Sequence, residues 1–204
     1  MNPLLECLKN TLGEKPFSRL TGAKIGIAGA GGLGSNAAMH LVRSGCQDLT
    51  IVDFDRIEAS NLNRQFYFAD QVGRFKVVAL AENLKRINPD LHLRIETEEI
   101  GKENIEYLFA DCDLWLEALD RAEVKKLFVE AAVTLGKKVV SASGIAGWGN
   151  SDALRIHQIN SKLVIVGDLT SEVAQHRPPM SPRVSIAAAK EADVVLTWIL
   201  GQGD

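Results

Sequence analysis

The stretch at residues 25–35 limits the folds open to this chain more than any other, because it joins a short apolar run to closely spaced glycines. It reads I-G-I-A-G-A-G-G-L-G-S, and its apolar start is typical of a buried parallel strand. Three glycines, Gly29, Gly31 and Gly34, fit the spacing G-x-G-x-x-G ahead of a predicted helix over 33–44. A turn with little side chain lets an anion approach the backbone, and the first N–H groups of the next helix favour negative charge. We therefore predict a phosphate-binding turn.

Strand-like and helix-like segments alternate along the rest of the chain. The expected strands are 24–28, 49–54, 92–97, 113–118, 138–143, 153–159 and 163–167, and the expected helices are 2–12, 33–44, 76–87, 103–110, 121–135 and 184–200. This alternation predicts an α/β fold with a doubly wound, Rossmann-like and mostly parallel sheet. Only three residues separate the last two strands, which is too short for a crossover, so we expect antiparallel strands in the C-terminal third.

Composition favours one domain and excludes several classes of function. With 204 residues, of which 46% are hydrophobic, we expect a single domain over 1–204, with an N-terminal helix at 2–12 and a nucleotide-binding core at 20–150.

The net charge of −3 gives no basic surface patch for nucleic acid. The three cysteines are scattered without zinc-ligand spacing, so neither a disulfide framework nor a structural zinc is expected. No apolar window is long enough for a membrane span, and we predict a cytoplasmic protein.

Acidic residues follow two of the predicted strands at the ends where ligands bind. Asp53 and Asp55 come after the second strand, and Asp120 comes after the fourth. In open α/β sheets the ligand lies outside the carboxyl ends of the strands, so these carboxylates and the glycine turn should share one crevice. Asp53 also lies about 20 residues beyond the glycines, where a dinucleotide-binding protein places the acid that binds ribose. An NAD-dependent oxidoreductase is therefore one alternative at this point.

Six motifs together narrow the choice of family. They are G-A-G-G-L-G-S at 29–35, D-F-D at 53–55, N-L-N-R-Q at 61–65, G-R-F-K at 73–76, R-I-N-P at 86–89 and the aspartate at 120. In this combination the chain resembles the ubiquitin-activating-like adenylyltransferases, and within them the short ThiF branch, which activates the sulfur carrier of thiamine biosynthesis. The resemblance extends over residues 20–200. It implies a Rossmann-like fold with an ATP site.

The resemblance also implies roles for individual residues. Gly32 would lie against the nucleotide through its backbone, and Asp53 would bind the ribose hydroxyls. Asn61 and Arg64 would reach the phosphates, Lys76 would neutralise them, and Asp120 would coordinate magnesium. The full predicted set for ATP is Gly29, Gly31, Gly32, Gly34, Asp53, Asp55, Asn61, Arg64, Gln65 and Lys76, and the predicted catalytic residues are Arg64, Lys76 and Asp120.

The implied reaction joins ATP to a protein carboxylate. The C-terminal glycine carboxylate of a small, Gly-Gly-ended, ubiquitin-like sulfur carrier would attack the α-phosphate, and pyrophosphate would leave. The family also implies a homodimer and a partner sulfurtransferase. Two departures qualify the resemblance: the chain lacks the C-x-x-C pairs that bind zinc in larger relatives, and no cysteine lies in 144–183 to accept the carrier covalently. We therefore expect activation without covalent transfer.

Some alternatives stay open on the sequence alone. A relative could keep the ATP fold as a nucleotide-binding scaffold without turnover. Asp120 could simply cap the helix that is expected to start at Arg121. Arg64 and Lys76, taken singly, could be solvated surface charges.

Overall fold

The structure is a computed structural model and describes residues 2–174 and 176–201. The strands are β1 (Lys24–Ala28), β2 (Asp48–Val52), β3 (His92–Glu96), β4 (Leu114–Glu117), β5 (Lys138–Ala142), β6 (Arg155–Gln158) and β7 (Leu163–Gly167). The helices are α1 (Pro3–Leu12), α2 (Glu14–Gly22), α3 (Gly32–Arg43), α4 (Lys76–Ile87), α5 (Ile105–Leu108), α6 (Ala122–Thr134) and α7 (Ser181–Leu200). Among these helices, none is long and apolar enough to cross a membrane.

The strands form one sheet in the order β3-β2-β1-β4-β5-β7-β6. Neighbouring strands are parallel except for β6, which runs antiparallel to β7 at the edge of the sheet. The predicted mostly parallel, doubly wound sheet is confirmed. The strand order reverses direction between β1 and β4, and such a switch point opens a crevice at the carboxyl ends of the strands.

Helices cover both faces of the sheet, which explains why its central strands are apolar throughout. Helices α3, α4 and α7 pack on one face, and α5 and α6 pack on the other. On the second face the rings of Phe109, Trp115 and Phe128 lie with centroids 4.9 to 5.2 Å apart. A Cβ built on Gly26 in β1 would lie 2.5 Å from Phe109 Cδ1, so glycine in this strand makes room for the aromatic cluster.

The sequence prediction missed one helix, α2. Pro16 indicated a break before the first strand, but it is the third residue of α2, where a helix does not need the missing N–H donor. Phe17 and Leu20 of this helix are buried. At the other end of the chain, α7 begins at Ser181 instead of residue 184, because Pro182 occupies its first turn without disrupting it.

Candidate functional site

The glycine turn connects β1 to α3, and two of its glycines are required by close backbone packing. Gly29 has a φ of 94°, and a Cβ there would lie 2.5 Å from the carbonyl oxygen of Ala118, beyond β4. A Cβ on Gly34 would overlap the carbonyl oxygen of Gly29. These two positions therefore admit only glycine without rearrangement, whatever ligand the turn binds.

Asp53 stabilises the turn from the end of β2. Its Oδ2 accepts the N–H of Ala30 at 2.6 Å, and its Oδ1 accepts the N–H of Asp55 at 2.8 Å. Burial raises the pKa of Asp53 above its usual value, while the charge of Lys76 and the two N–H donors act in the opposite direction. Each carboxylate oxygen keeps a second lone pair, so the predicted ribose contact is compatible with this structural role.

Tyr67 supports the same turn and was missed by the sequence analysis. Its hydroxyl donates to the carbonyl oxygen of Ala30 at 2.7 Å, in a buried environment. With Asp53 on the N–H group of Ala30 and Tyr67 on its carbonyl, both polar backbone atoms of this residue have side-chain partners. Nothing in the sequence motif marks this tyrosine, because the contact joins residues 37 positions apart.

The loop that contains N-L-N-R-Q packs against the start of α3. The Asn36 side-chain amide donates to the carbonyl oxygen of Arg64 at 2.9 Å, and Ser35 Oγ accepts the N–H of Phe66 at 3.0 Å. A Cβ on Gly32 would lie 3.6 Å from Arg64 Cγ. The arginine therefore lies beside the first residue of α3, and its contact with phosphate stays a prediction.

Of the two predicted cations, Lys76 is buried and is not a solvated surface charge, whereas Arg64 is half-buried. Arg64 donates through Nη1 to Asn63 Oδ1 at 2.7 Å and to the carbonyl oxygen of Ser60 at 3.0 Å, and burial lowers the pKa of Arg64. The Lys76 side chain is only 9% exposed, and its Nζ lies 2.7 Å from Asp55 Oδ2. Asp55 thus holds Lys76 next to the carboxylate that organises the turn.

Gln65 and Asn61 are buried, with different hydrogen-bonding states. Gln65 Oε1 has no hydrogen-bond partner among the described residues, and a Cβ on Gly31 would lie 3.9 Å from Gln65 Nε2. A buried acceptor without a partner beside the turn fits a hydroxyl donor from a ligand. Asn61 Oδ1 instead accepts the N–H of Glu58 at 3.1 Å and closes its own short turn. The phosphate contact expected of Asn61 stays a prediction.

Asp120 is exposed and lies three residues beyond β4, at the carboxyl ends of the strands, where the glycine turn also lies. It is not the residue that caps α6, since that position belongs to Arg121, which is paired with Glu99 at 2.6 Å. Across the described ranges, no group of three or more His, Cys, Asp or Glu residues is arranged to hold a metal ion. Magnesium bound to a nucleotide needs one or two carboxylates besides phosphate oxygens and water, so a single aspartate fits that role.

Comparison with known proteins places this arrangement in a family. The ThiF family model matches residues 5–197, nearly the whole chain. This chain belongs to the ThiF family.

Curated relatives of this ThiF-family chain are longer proteins. A Candida glabrata protein named adenylyltransferase and sulfurtransferase UBA4 is 37% identical over 142 residues, which are 69% of this chain and 33% of the relative. The Aspergillus niger protein of the same name is 38% identical over 135 residues, which are 66% of this chain and 28% of the relative. The chain thus spans about a third of the length of these relatives.

Solved structures confirm the fold. The E. coli tRNA N6-threonylcarbamoyladenosine dehydratase TcdA, in complex with AMP, has a TM-score of 0.87 at 20% identity, covering 96% of this chain and 93% of that one. E. coli MccB, crystallised with AMPCPP and MccA, has a TM-score of 0.70 at 22% identity, covering 90% of this chain and 57% of MccB. At these identities the similarity shows the Rossmann-like architecture of the ThiF-family domain.

A second polar group, around Glu117 at the end of β4, was also missed by the sequence analysis. Glu117 is fully buried and accepts hydrogen bonds from the N–H of Leu119 at 2.7 Å and from Ser141 Oγ at 2.5 Å. Lys125 Nζ lies 2.7 Å from its Oε2. Glu117 therefore stabilises the backbone that leads to Asp120. The only sign of this role in the sequence is a charged residue at the end of an otherwise apolar strand.

Two of the three cysteines are buried, and the third does not fill apolar space. Cys46 and Cys112 are buried, and Cys7 is exposed on α1. Burial raises the pKa of the Cys46 thiol to about 12, which keeps it protonated and unreactive at neutral pH.

Proposed function

We propose that this ThiF-family chain adenylates the C-terminal glycine carboxylate of a small, Gly-Gly-ended, ubiquitin-like sulfur carrier, using ATP and magnesium. The observation that carries the proposal is the wall formed around the glycine turn by Arg64 and Lys76, with Asp53 beside them. A turn that exposes backbone N–H groups, together with two cations, suits a polyphosphate better than the single diphosphate of NAD.

The chemistry requires stabilisation of negative charge and no general base. The carrier carboxylate is ionised at neutral pH, so its oxygen can attack the α-phosphorus directly. A new P–O bond forms while the bond between the α-phosphorus and the bridging oxygen breaks, and pyrophosphate leaves with that electron pair. Arg64 and Lys76 would stabilise the charge that grows on the phosphoryl oxygens. Magnesium held by Asp120 would supply further neutralisation and order the leaving group.

The comparisons support this proposal in two ways. The name of the fungal relatives combines adenylyltransferase with sulfurtransferase, which favours a carrier of sulfur as the substrate. The titles of the structural neighbours record AMP, ATP or AMPCPP complexes, which favours an adenine nucleotide. A homodimer, a partner sulfurtransferase and the thiazole branch of thiamine biosynthesis belong to the same proposal and follow from the resemblance to the short ThiF branch.

Carrier-dependent exchange of pyrophosphate into ATP tests the proposal. We expect exchange with at least one Gly-Gly-ended carrier encoded by the same genome, and loss of exchange in Asp120→Ala. Asp111→Ala is the matched control, because Asp111 is exposed just before β4, at the opposite edge of the sheet. Absence of exchange with every such carrier would refute the proposal.

A nucleotide-binding comparison separates the alternatives. The true ligand raises the unfolding temperature by mass action, so ATP and NAD are compared by thermal shift. Stabilisation by ATP without exchange would indicate a scaffold, and stabilisation by NAD alone would indicate an oxidoreductase.

A further inference from the structure

Arg183, the third residue of α7, is a buried cation in an unfavourable position. Its residue exposure is 2%. Positive charge near the N-terminus of a helix opposes the helix dipole, and a buried arginine requires paired acceptors. Two of its three nitrogens have such acceptors: Nη2 lies 2.7 Å from Asp168 Oδ2, and Nη1 donates to the carbonyl oxygens of Gly149 and Asn150 at 2.9 and 3.1 Å, whereas Nε has no partner among the described residues.

These contacts join three separate segments of the chain. Asp168 follows β7 directly, and Gly149 and Asn150 lie in the loop after β5. Asp168 is itself anchored, because its Oδ1 accepts the backbone N–H groups of Thr170 and Ser171 at 2.9 and 2.7 Å. Although burial opposes ionisation, these donors and Arg183 hold the pKa of Asp168 well below its usual range. We call residues 144–150, 168–174 and 176–180 the clamp loops.

Backbone strain occurs at both anchor points of Arg183. Within the described part of the chain, two non-glycine residues have a positive φ: Asn150 at 44° and Leu169 at 62°. Asn150 provides one of the carbonyl acceptors, and Leu169 follows Asp168. Left-handed backbone at a leucine costs free energy and persists only where the surrounding contacts enforce it. The guanidinium of Arg183 hydrogen-bonds to Asn150 and to Asp168, the residue before Leu169.

The clamp loops adjoin the proposed ATP site. Asn63 Nδ2 lies 3.3 Å from the carbonyl oxygen of Pro179, while Asn63 Oδ1 accepts from Arg64. A Cβ on Gly32 would lie 2.9 Å from Cγ1 of Val184, the residue after Arg183. Pro179 and the start of α7 therefore lie next to the glycine turn and the loop of Arg64.

The order of the strands indicates which substrate the clamp loops serve. Asp53, which is expected to bind ribose, follows β2, and the glycine turn follows β1. The clamp loops follow β5 and β7, on the other side of the turn. They expose four large apolar side chains, Trp148 at 66%, Val173 at 69%, Leu169 at 47% and Met180 at 37%. The side chain of Arg177 lies against Gly147, the residue before Trp148. An extended peptide that ends in a carboxylate fits such a surface.

We propose that Arg183 is a positioning residue that holds the clamp loops in the conformation that receives the C-terminal tail of the carrier. This inference rests on the proposed function. In this role Arg183 acts by fixing the turns at Asn150 and Leu169, and not through contact with ATP or the tail. Substitution should therefore weaken use of the carrier while leaving the nucleotide site intact.

The test measures carrier and ATP dependence of pyrophosphate exchange separately. For Arg183→Ala we expect the KM for the carrier to rise roughly 10- to 100-fold, while the KM for ATP stays within about twofold. Arg183→Lys keeps the ion pair with Asp168 but not the paired carbonyl contacts, so it should restore part of the loss. Arg155→Ala, an exposed arginine on β6, should behave as wild type.

Hydrogen exchange of backbone amides provides a readout that does not require activity. In Arg183→Ala we expect faster exchange in 144–150 and 168–174 and unchanged exchange in β1 and α3. Unchanged exchange in those loops, or an equal rise in both KM values, would overturn the inference. If the wild-type chain showed no exchange of pyrophosphate with any carrier, the role in tail binding would fall with the proposed function, and the amide data would still decide whether Arg183 holds the loops.

Discussion

Glu191→Gln should stabilise this protein, and increasingly so as the pH rises. Glu191 lies in the middle of α7 with 0% exposure, and neither carboxyl oxygen has a hydrogen-bond partner among the described residues. Burial raises the pKa of Glu191 well above its usual value, the nearby charge of Glu117 raises it further, and Lys125 acts in the opposite direction. At a pH between the ordinary pKa and the raised one, the folded chain therefore keeps a proton that the unfolded chain releases.

The sign and size of the effect follow from linkage. Because the pKa is raised in the folded state, the stability due to this proton is complete below about pH 4.5, the ordinary value, and is lost as the pH rises toward the folded pKa. Each pH unit in that window lowers the free energy of unfolding by at most about 1.4 kcal/mol. If the carboxyl is still protonated at pH 7, the free energy of unfolding has fallen by about 3 kcal/mol from its value at low pH. Glutamine has nearly the same shape and no proton to release, so it avoids this cost.

Urea unfolding at a series of pH values from 5 to 8 measures the difference. We expect the free energy of unfolding of Glu191→Gln to exceed that of the wild type by an amount that grows with pH, with similar m-values. Glu106→Gln is the matched control, because Glu106 is exposed on α5. Parallel pH profiles for Glu191→Gln and wild type would refute the conclusion that burial raises the pKa of Glu191.

Three further substitutions test the site. Gly34→Ala places a Cβ on the Gly29 carbonyl oxygen, so we expect loss of the ATP-induced rise in unfolding temperature. Its control, Gly73→Ala, has open space around its Cβ and should retain that rise, at some cost in stability from its positive φ. Retained ATP binding in Gly34→Ala would contradict the packing argument. Tyr67→Phe leaves the Ala30 carbonyl without its partner and should cost about 1–3 kcal/mol in urea unfolding, and no change would show that water replaces the hydroxyl. Lys76→Met keeps the buried aliphatic part of the side chain without the charge. It should raise the activation barrier of pyrophosphate exchange by roughly 3 kcal/mol, with little change in the free energy of unfolding. Unaltered exchange would exclude Lys76 from the catalytic residues.

Much of the architecture could be predicted because it depends on local pattern. The apolar run of β1, the glycine spacing and the strand–helix alternation reflect burial between two helix layers, which repeats with short periods along the chain. The boundaries of α4 and β7 were predicted to the residue, since Asn88-Pro89 and Gly167 end them. Helix α2 was missed because proline breaks a helix only beyond the first turn, and Pro16 lies within the first turn of α2.

The motif residues could be chosen from the sequence, but their partners could not. The sequence by itself determined the glycine turn between β1 and α3, and it predicted the acids after β2 and β4 and the cations Arg64 and Lys76 as ligands, because spacing and residue type indicate such roles directly. Only the tertiary structure decided that Tyr67 supports Ala30, that Glu117 supports the path to Asp120, and that Arg183 joins the clamp loops. Hydrogen bonds between distant residues leave no periodic signal, and whether a charge is buried depends on what the fold places around it.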